Sequence, residues 1–220
     1  MAGVNPVANR RPISARDTRW AGACARWLAR AGATPNGISV ASVGFGLLAG
    51  TAFWGTSRIS GMGQVGLFLA GAVGIQARLL CNLFDGMVAV EGGLKTKSGD
   101  IFNELPDRFA DWAVLLGAGF AAGAGSSGVI LGWAAALLAL FTAYVRALGA
   151  SAKASQHFEG PMAKQHRMAV MTGTAGVSAV DVLAGWNLPW MQWALWVVVA
   201  GSAVTVMRRT RAIISELEAR

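Results

Sequence analysis

Apolar runs of about twenty residues recur along this chain, and no other feature limits its fold as tightly. A helix crossing the hydrocarbon core of a bilayer needs roughly 20 such residues. Six segments qualify, at about 37–56, 62–90, 100–123, 127–150, 167–185 and 188–207. Composition agrees: charged residues make up only 14% of the chain, against roughly 25% in a soluble domain. The expected fold is all-α, an integral membrane bundle of six transmembrane helices preceded by an amphipathic juxtamembrane helix.

That preceding helix is read from residues 13–32, ISARDTRWAGACARWLARAG. Trp20, Ala23, Trp27 and Leu28 fall near one face, with Arg16, Arg19, Arg26 and Arg30 elsewhere. Such a helix lies in the headgroup plane with its apolar face down; a presequence or a topogenic basic tail is the plainer reading. Met1 to Thr34 lacks the continuous apolar core of a cleavable signal, and Ala33-Thr34-Pro35-Asn36 breaks the helix before the first span. The expected organisation is a cytoplasmic arm over 1–35, a membrane domain over 36–210 and a cytoplasmic tail over 211–220.

The formal net charge of +8 invites a nucleic-acid reading, but the basic residues sit between the apolar runs. Six arginines precede the first span, Lys95 and Lys97 follow the second, Lys153, Lys164 and Arg167 follow the fourth, and Arg208, Arg209, Arg211 and Arg220 follow the last. The alternate connections hold Arg58 alone. Cytoplasmic loops collect Lys and Arg, so the chain is expected to be a multi-pass protein of the cell (inner) membrane with both termini cytoplasmic and no nucleic-acid partner. Cys24 and Cys81 give no disulfide framework and no metal-ligand spacing. The glycines grouped with Ala and Ser in the spans predict close helix packing. Trp186, Trp190 and Trp193 read as interfacial anchors.

One stretch breaks the apolar pattern. Asn82 to Asp111, NLFDGMVAVEGGLKTKSGDIFNELPDRFAD, holds six of the eleven acidic residues. Charge within a bilayer costs roughly 2.5–3.5 kcal/mol per residue on insertion scales and marks function by default. Helical spacing puts Asn82, Asp85 and Ala89 on one stripe of the second span, with Arg78 a turn below and Gly86 leaving a gap beside Asp85. On the third span Asp100, Asn103, Glu104, Asp107 and Asp111 share a broad face. Oxygen ligands suit Mg²⁺, Mn²⁺ or Ca²⁺, and Lys95, Lys97 and Arg108 suit phosphate.

Residues 82–107 resemble the signature of the CDP-alcohol phosphatidyltransferases, D-x-x-D-G-x-x-A-R-x8-G-x3-D-x3-D. This chain reads N-x-x-D-G-x-x-A-V-x8-G-x3-N-x3-D, with Asp85, Gly86, Ala89, Gly99 and Asp107 identical. The Thr-Pro-Asn before the first span, Tyr144-Val145-Arg146 ending the fourth, and Gly160 followed by Lys164 and Arg167 are similar to the family as well. The resemblance implies a membrane enzyme of phospholipid synthesis. It would transfer a phosphatidyl group from CDP-diacylglycerol to an acceptor alcohol, release CMP, work at the cytosolic membrane edge and form a homodimer.

It also implies roles. Two divalent ions, Mg²⁺ or Mn²⁺, would be held by the first three aspartates of the pattern, with the fourth as base. Here that gives Asp85 and Asp107 as carboxylates, with Asp107 as the catalytic base, and Asn82 and Asn103 as neutral ligands. Glu104 or Asp100 would supply a replacement carboxylate. Gly86, Ala89, Gly99, Lys95, Lys97, Arg146, Lys164 and Arg167 would contact substrate. Val90 stands where the family has arginine. The departures leave a second reading, a member that binds CDP-lipid or metal without turnover. A transporter would place its acids mid-bilayer and often show internal symmetry; neither is visible here. Plainer roles are open too: an ion pair of Asp85 or Asp107 with Arg78 or Arg108, interhelical bonding for Asn82 and Asn103, and solvation or helix-end placement for Glu91 and Asp111. His157 and His166 read as solvated loop residues, and Tyr144 as packing.

Overall fold

The computed structural model describes residues 18–94, 97–123 and 126–220. Its helices are α1 (Arg19–Arg30), α2 (Pro35–Gly55), α3 (Met62–Glu91), α4 (Gly99–Ala121), α5 (Ser126–Ser151), α6 (Lys164–Ala184) and α7 (Trp190–Glu218). There is no strand among the described residues. Helices α2 to α7 lie where the six apolar segments predict them, with two extensions. α6 starts at Lys164, so His166 belongs to its first turn and not to a loop, and α7 runs unbroken to Glu218.

Four of these helices, α2, α3, α5 and α7, are long and apolar enough to cross a membrane. α4 and α6 fall short of that measure because they carry charge, including Asp107 and Asp111 on one and Arg167 and Asp181 on the other. Outward faces are apolar, with Leu48, Val73, Ile130, Leu137, Val180 and Val197 exposed. Lipid covers such surface. The chain is a multi-pass membrane protein.

Local sequence fixes the helix ends that matter. The Thr34 hydroxyl accepts from the Gly37 amide at 3.1 Å and Pro35 opens α2; a capping hydroxyl and a first-turn proline both favour a helix start. Packing follows from small residues. α2 packs against α3 and α4, α4 against α5, α3 against α6 and α5 against α7. A β-carbon on Gly117 of α4 would collide with the backbone of Gly50 in α2, and one on Gly132 of α5 would sit 2.9 Å from the Gly119 α-carbon. Backbones this close need glycine. Phe53, Ile75, Leu115, Met168, Met171 and Leu195 fill the core around these crossings.

α1 buries Ala21 and Ala25 against Leu83, Met87 and Val88 of α3. Trp20 meets Phe84 edge-on at 6.1 Å, and Trp20 and Trp27 stay exposed. The alternating run of the helices brings the ends of α3, α5 and α7 to the same end of the bundle as the starts of α2, α4 and α6. Among the described residues, Lys97 and Lys153 of the connections lie there. At the opposite end Asp181 accepts from the Trp190 indole at 3.1 Å and the Leu188 amide at 3.2 Å, while Trp186 and Trp193 are exposed.

Candidate active site

A cleft of about 1270 Å³ opens at the basic end. Nearly all the residues singled out from sequence line it: Asn82, Asp85, Gly86, Ala89, Gly99, Asp100, Asn103, Glu104, Asp107, Arg146, Lys164 and Arg167. Lys97 is exposed outside this lining, and Lys95 lies outside the described residues. The Glu91 side chain is likewise outside the description.

Asp107 is crowded with positive charge. Its Oδ1 accepts from Asn82 Nδ2 at 3.0 Å and lies 3.4 Å from Arg78 Nη2. Its Oδ2 contacts Lys164 Nζ directly, with Arg108 Nη2 at 3.9 Å. Beneath it, Asp111 bridges two buried arginines, Arg78 at 2.6 Å and Arg167 at 3.0 Å. Arg78 is 0% exposed and Asp111 3%. Asp111 is therefore neither solvated nor a helix-end charge. Arg167 is equally committed, donating to the Met162 carbonyl at 2.8 Å and the Thr142 hydroxyl at 3.2 Å. Its place is to hold α4, α5 and α6 together beneath the cleft floor.

Asp85 differs. It is 4% exposed and accepts from the Ser39 hydroxyl at 2.7 Å and the Gly86 amide at 2.5 Å. Among the described residues no cation lies within ion-pair distance of it. Asp85 is thus a buried carboxylate on the cleft wall, bonded by neutral donors and uncompensated by contact with a positive group. Burying charge in that way is costly unless a cation completes it.

Glu104 does not stand ready as a replacement ligand. Its two oxygens are taken by Arg146 Nη2 at 2.6 Å and Arg108 Nη2 at 2.9 Å. Asp100 and Asn103 are exposed at the rim. No three Asp, Glu, His or Cys side chains converge to hold an ion among the described residues. Arg146 is shaped by the segment after α5: its Nη1 donates to Gln156 Oε1 at 3.0 Å and its guanidinium lies 5.0 Å over the Phe158 ring. Arg209 of α7 pins that segment, donating to the carbonyls of Glu159 and Phe158 at 2.9 Å each and to that of Thr142 at 2.6 Å. His157 contacts Glu159 at 2.8 Å and Glu216 at 3.0 Å. The hydrogen bond with Glu159 is the main cause of its raised pKa. Tyr144 is exposed on the cleft wall, edge-on to Phe141 at 6.4 Å.

No protein-family model matches the sequence. Over 187 residues the chain is 26% identical to a phosphatidylinositol phosphate synthase of Mycolicibacterium smegmatis, covering 84% of this chain and 79% of the relative. Its fold matches the crystal structure of the Mycobacterium tuberculosis phosphatidylinositol phosphate synthase with CDP-DAG bound. The TM-score is 0.71 at 21% identity, over 89% of this chain and 94% of that one. The same enzyme in complex with manganese and citrate gives 0.71 and 21%, over 88% of each chain.

The chain is thus similar in sequence, at 26% identity, to a phosphatidylinositol phosphate synthase and shares the fold of one.

Whether the donors in this cleft suit a divalent ion is decided carboxylate by carboxylate. Asp85 suits one, being a buried carboxylate without a contacting cation among the described residues. Asp107 is already surrounded by Lys164, Arg78 and Arg108. Sequence reasoning missed Ser39 and Arg209. Ser39 sits one turn into α2 from Pro35, so helical spacing alone could have put it at the cleft. Arg209 had no such signal, since two of its carbonyl partners, Phe158 and Glu159, lie in a loop without periodicity.

Proposed function

We propose that this protein transfers a phosphatidyl group from CDP-diacylglycerol to an acceptor alcohol at the cytoplasmic membrane face, releasing CMP. The observation that carries the reading is the arrangement of Asp85 and Asp107, at the family's spacing, on the walls of one cleft at the end of an apolar bundle. Six helices, α2 to α7, would span the bilayer, with both termini cytoplasmic, α1 in the interface and a second copy completing a homodimer. Basic connections on one side favour that orientation. CDP-diacylglycerol would arrive laterally from the bilayer and the acceptor from water.

In the reaction the acceptor hydroxyl oxygen forms a bond to the lipid-linked phosphorus, the pyrophosphate P–O bond breaks, and CMP departs with the electron pair. Asp107 takes the hydroxyl proton. Arg146 and Lys164 place phosphate oxygens by charge-assisted hydrogen bonds, which favours an acceptor that itself carries phosphate. Asp85, with the amide oxygens of Asn82 and Asn103, would hold a divalent ion, Mg²⁺ or Mn²⁺, which when bound neutralises pyrophosphate charge. Ser39 orients the Asp85 carboxylate. Arg78, Asp111 and Arg167 keep the three helices in register.

The test is CMP release by the purified protein in lipid, with Mg²⁺ or Mn²⁺ and a panel of phosphorylated and plain polyols. Release that needs one acceptor is expected, with Asp107→Asn reducing it at least about a hundredfold, the scale of general-base catalysis. One observation favours a second reading. Asn82 donates to the same Asp107 oxygen that Arg78 approaches, and a base so encumbered fits a protein that binds CDP-lipid without turnover. Tight CDP-lipid binding with no release on any acceptor would establish that instead.

A further inference from the structure

By the resemblance, the first three aspartates of the pattern would face two divalent ions, with the fourth as base. This chain keeps two of the four, Asp85 and Asp107, and has Asn82 and Asn103 at the other positions. Of the three ligand positions only Asp85 keeps its charge, which falls further short of two divalent ions than of one. The structure divides the remaining pair unequally. Asp85 is buried with neutral donors only, whereas Asp107 Oδ2 is in contact with the Lys164 ammonium. Lys164 opens α6 and its side chain is 13% exposed, so it is held inside the cleft. The candidates that might restore a ligand are diverted: Glu104 is shared by Arg108 and Arg146. Asn82 commits its amide nitrogen to Asp107 and leaves only its neutral carbonyl oxygen for an ion.

We infer that this protein binds a single divalent ion, at Asp85, and that the Lys164 ammonium held by Asp107 takes the place of the second. The pyrophosphate is then met by one mobile ion and one tethered cation. A compact ammonium on a flexible stem suits that task, since it acts as a point charge toward phosphate. A tethered cation does not wash out, so chelation removes only half of the centre. The inference rests on the transferase reading for its ligand, the pyrophosphate, but not for its ion count.

The experiment is a Mn²⁺ titration of the full-length protein in lipid nanodiscs, followed by electron paramagnetic resonance, with CMP release measured on the same samples. One Mn²⁺ per chain is expected, without the spin coupling of a close pair. Asp85→Asn should weaken it at least about tenfold, a loss seen even for residues that only support a ligand. The triple variant Asn82→Asp, Asn103→Asp, Lys164→Met should take up a second, spin-coupled ion. Two coupled ions in the natural sequence would overturn the inference, as would no bound ion or one indifferent to Asp85→Asn. Each of those can occur with CMP release intact, which leaves the transferase reading standing. One ion at Asp85 without CMP release would do the reverse.

Discussion

From Gly99 to Asp111, α4 turns carboxylates and an arginine toward its neighbours; from Trp112 to Ala121 it carries no charge at all. The first half meets α3, α5 and α6 through ion pairs that hold the helices around a cleft. The second half meets α2 and α5 through bare backbone at Gly117 and Gly119. The difference shows how one helix both opens a site and closes a bundle. Side chains that reach for partners hold neighbours at a distance, and the absence of side chains lets them touch. The charged half also tolerates little rearrangement, because each buried charge is shared. Arg78 serves Asp107 and Asp111, and Asp111 serves Arg78 and Arg167.

The largest effect should come from breaking that sharing. Asp111→Ala leaves two buried guanidinium groups without their common carboxylate and should cost about 3–5 kcal/mol, read as loss of thermal stability in detergent. If the variant melts normally, the charged half is not what holds α3, α4 and α6 together. Next, Arg146→Met removes a cleft cation but leaves the buried triad intact. CMP release should fall about 10–100-fold, the worth of one charged hydrogen bond, with little change in melting; a large stability loss instead would make Arg146 architectural. In the uncharged half, Gly117→Val should destabilise by about 1–3 kcal/mol through overpacking. Pairing it with Asp111→Ala should give additive losses if the halves are independent.

The smallest effect concerns the segment over the cleft. Its pKa raised in the folded protein, His157 lends stability that is fully present below the ordinary histidine value. That contribution fades as pH rises through the higher folded one. Glu159, the main partner, is solvent-facing, so the change should stay within about 1 kcal/mol. Limited proteolysis of 152–163 across that range should show cutting rise with pH, and His157→Gln should abolish the dependence.

Much of the architecture was legible because each span announces itself within its own residues. Apolar length gave α2 to α7, and Thr34-Pro35 marked the start of α2. The motif spacing located Asp85 and Asp107, since both belong to helices whose facing ends the short connections bring together. What could not be read was pairing across helices. Asp111 was ambiguous because helical spacing gives its face but not the rotation that aims it at Arg78 and Arg167. Glu104 looked available for the same reason, its two arginine partners lying on its own helix and on α5. Asp85 and Asp107 look equivalent in sequence, and only the cation census separates them.

The contact between Gly50 and Gly117 carries a historical consequence. Each glycine occupies the space that a side chain on the other would need, so neither position can drift alone. A lineage that keeps this crossing must keep both.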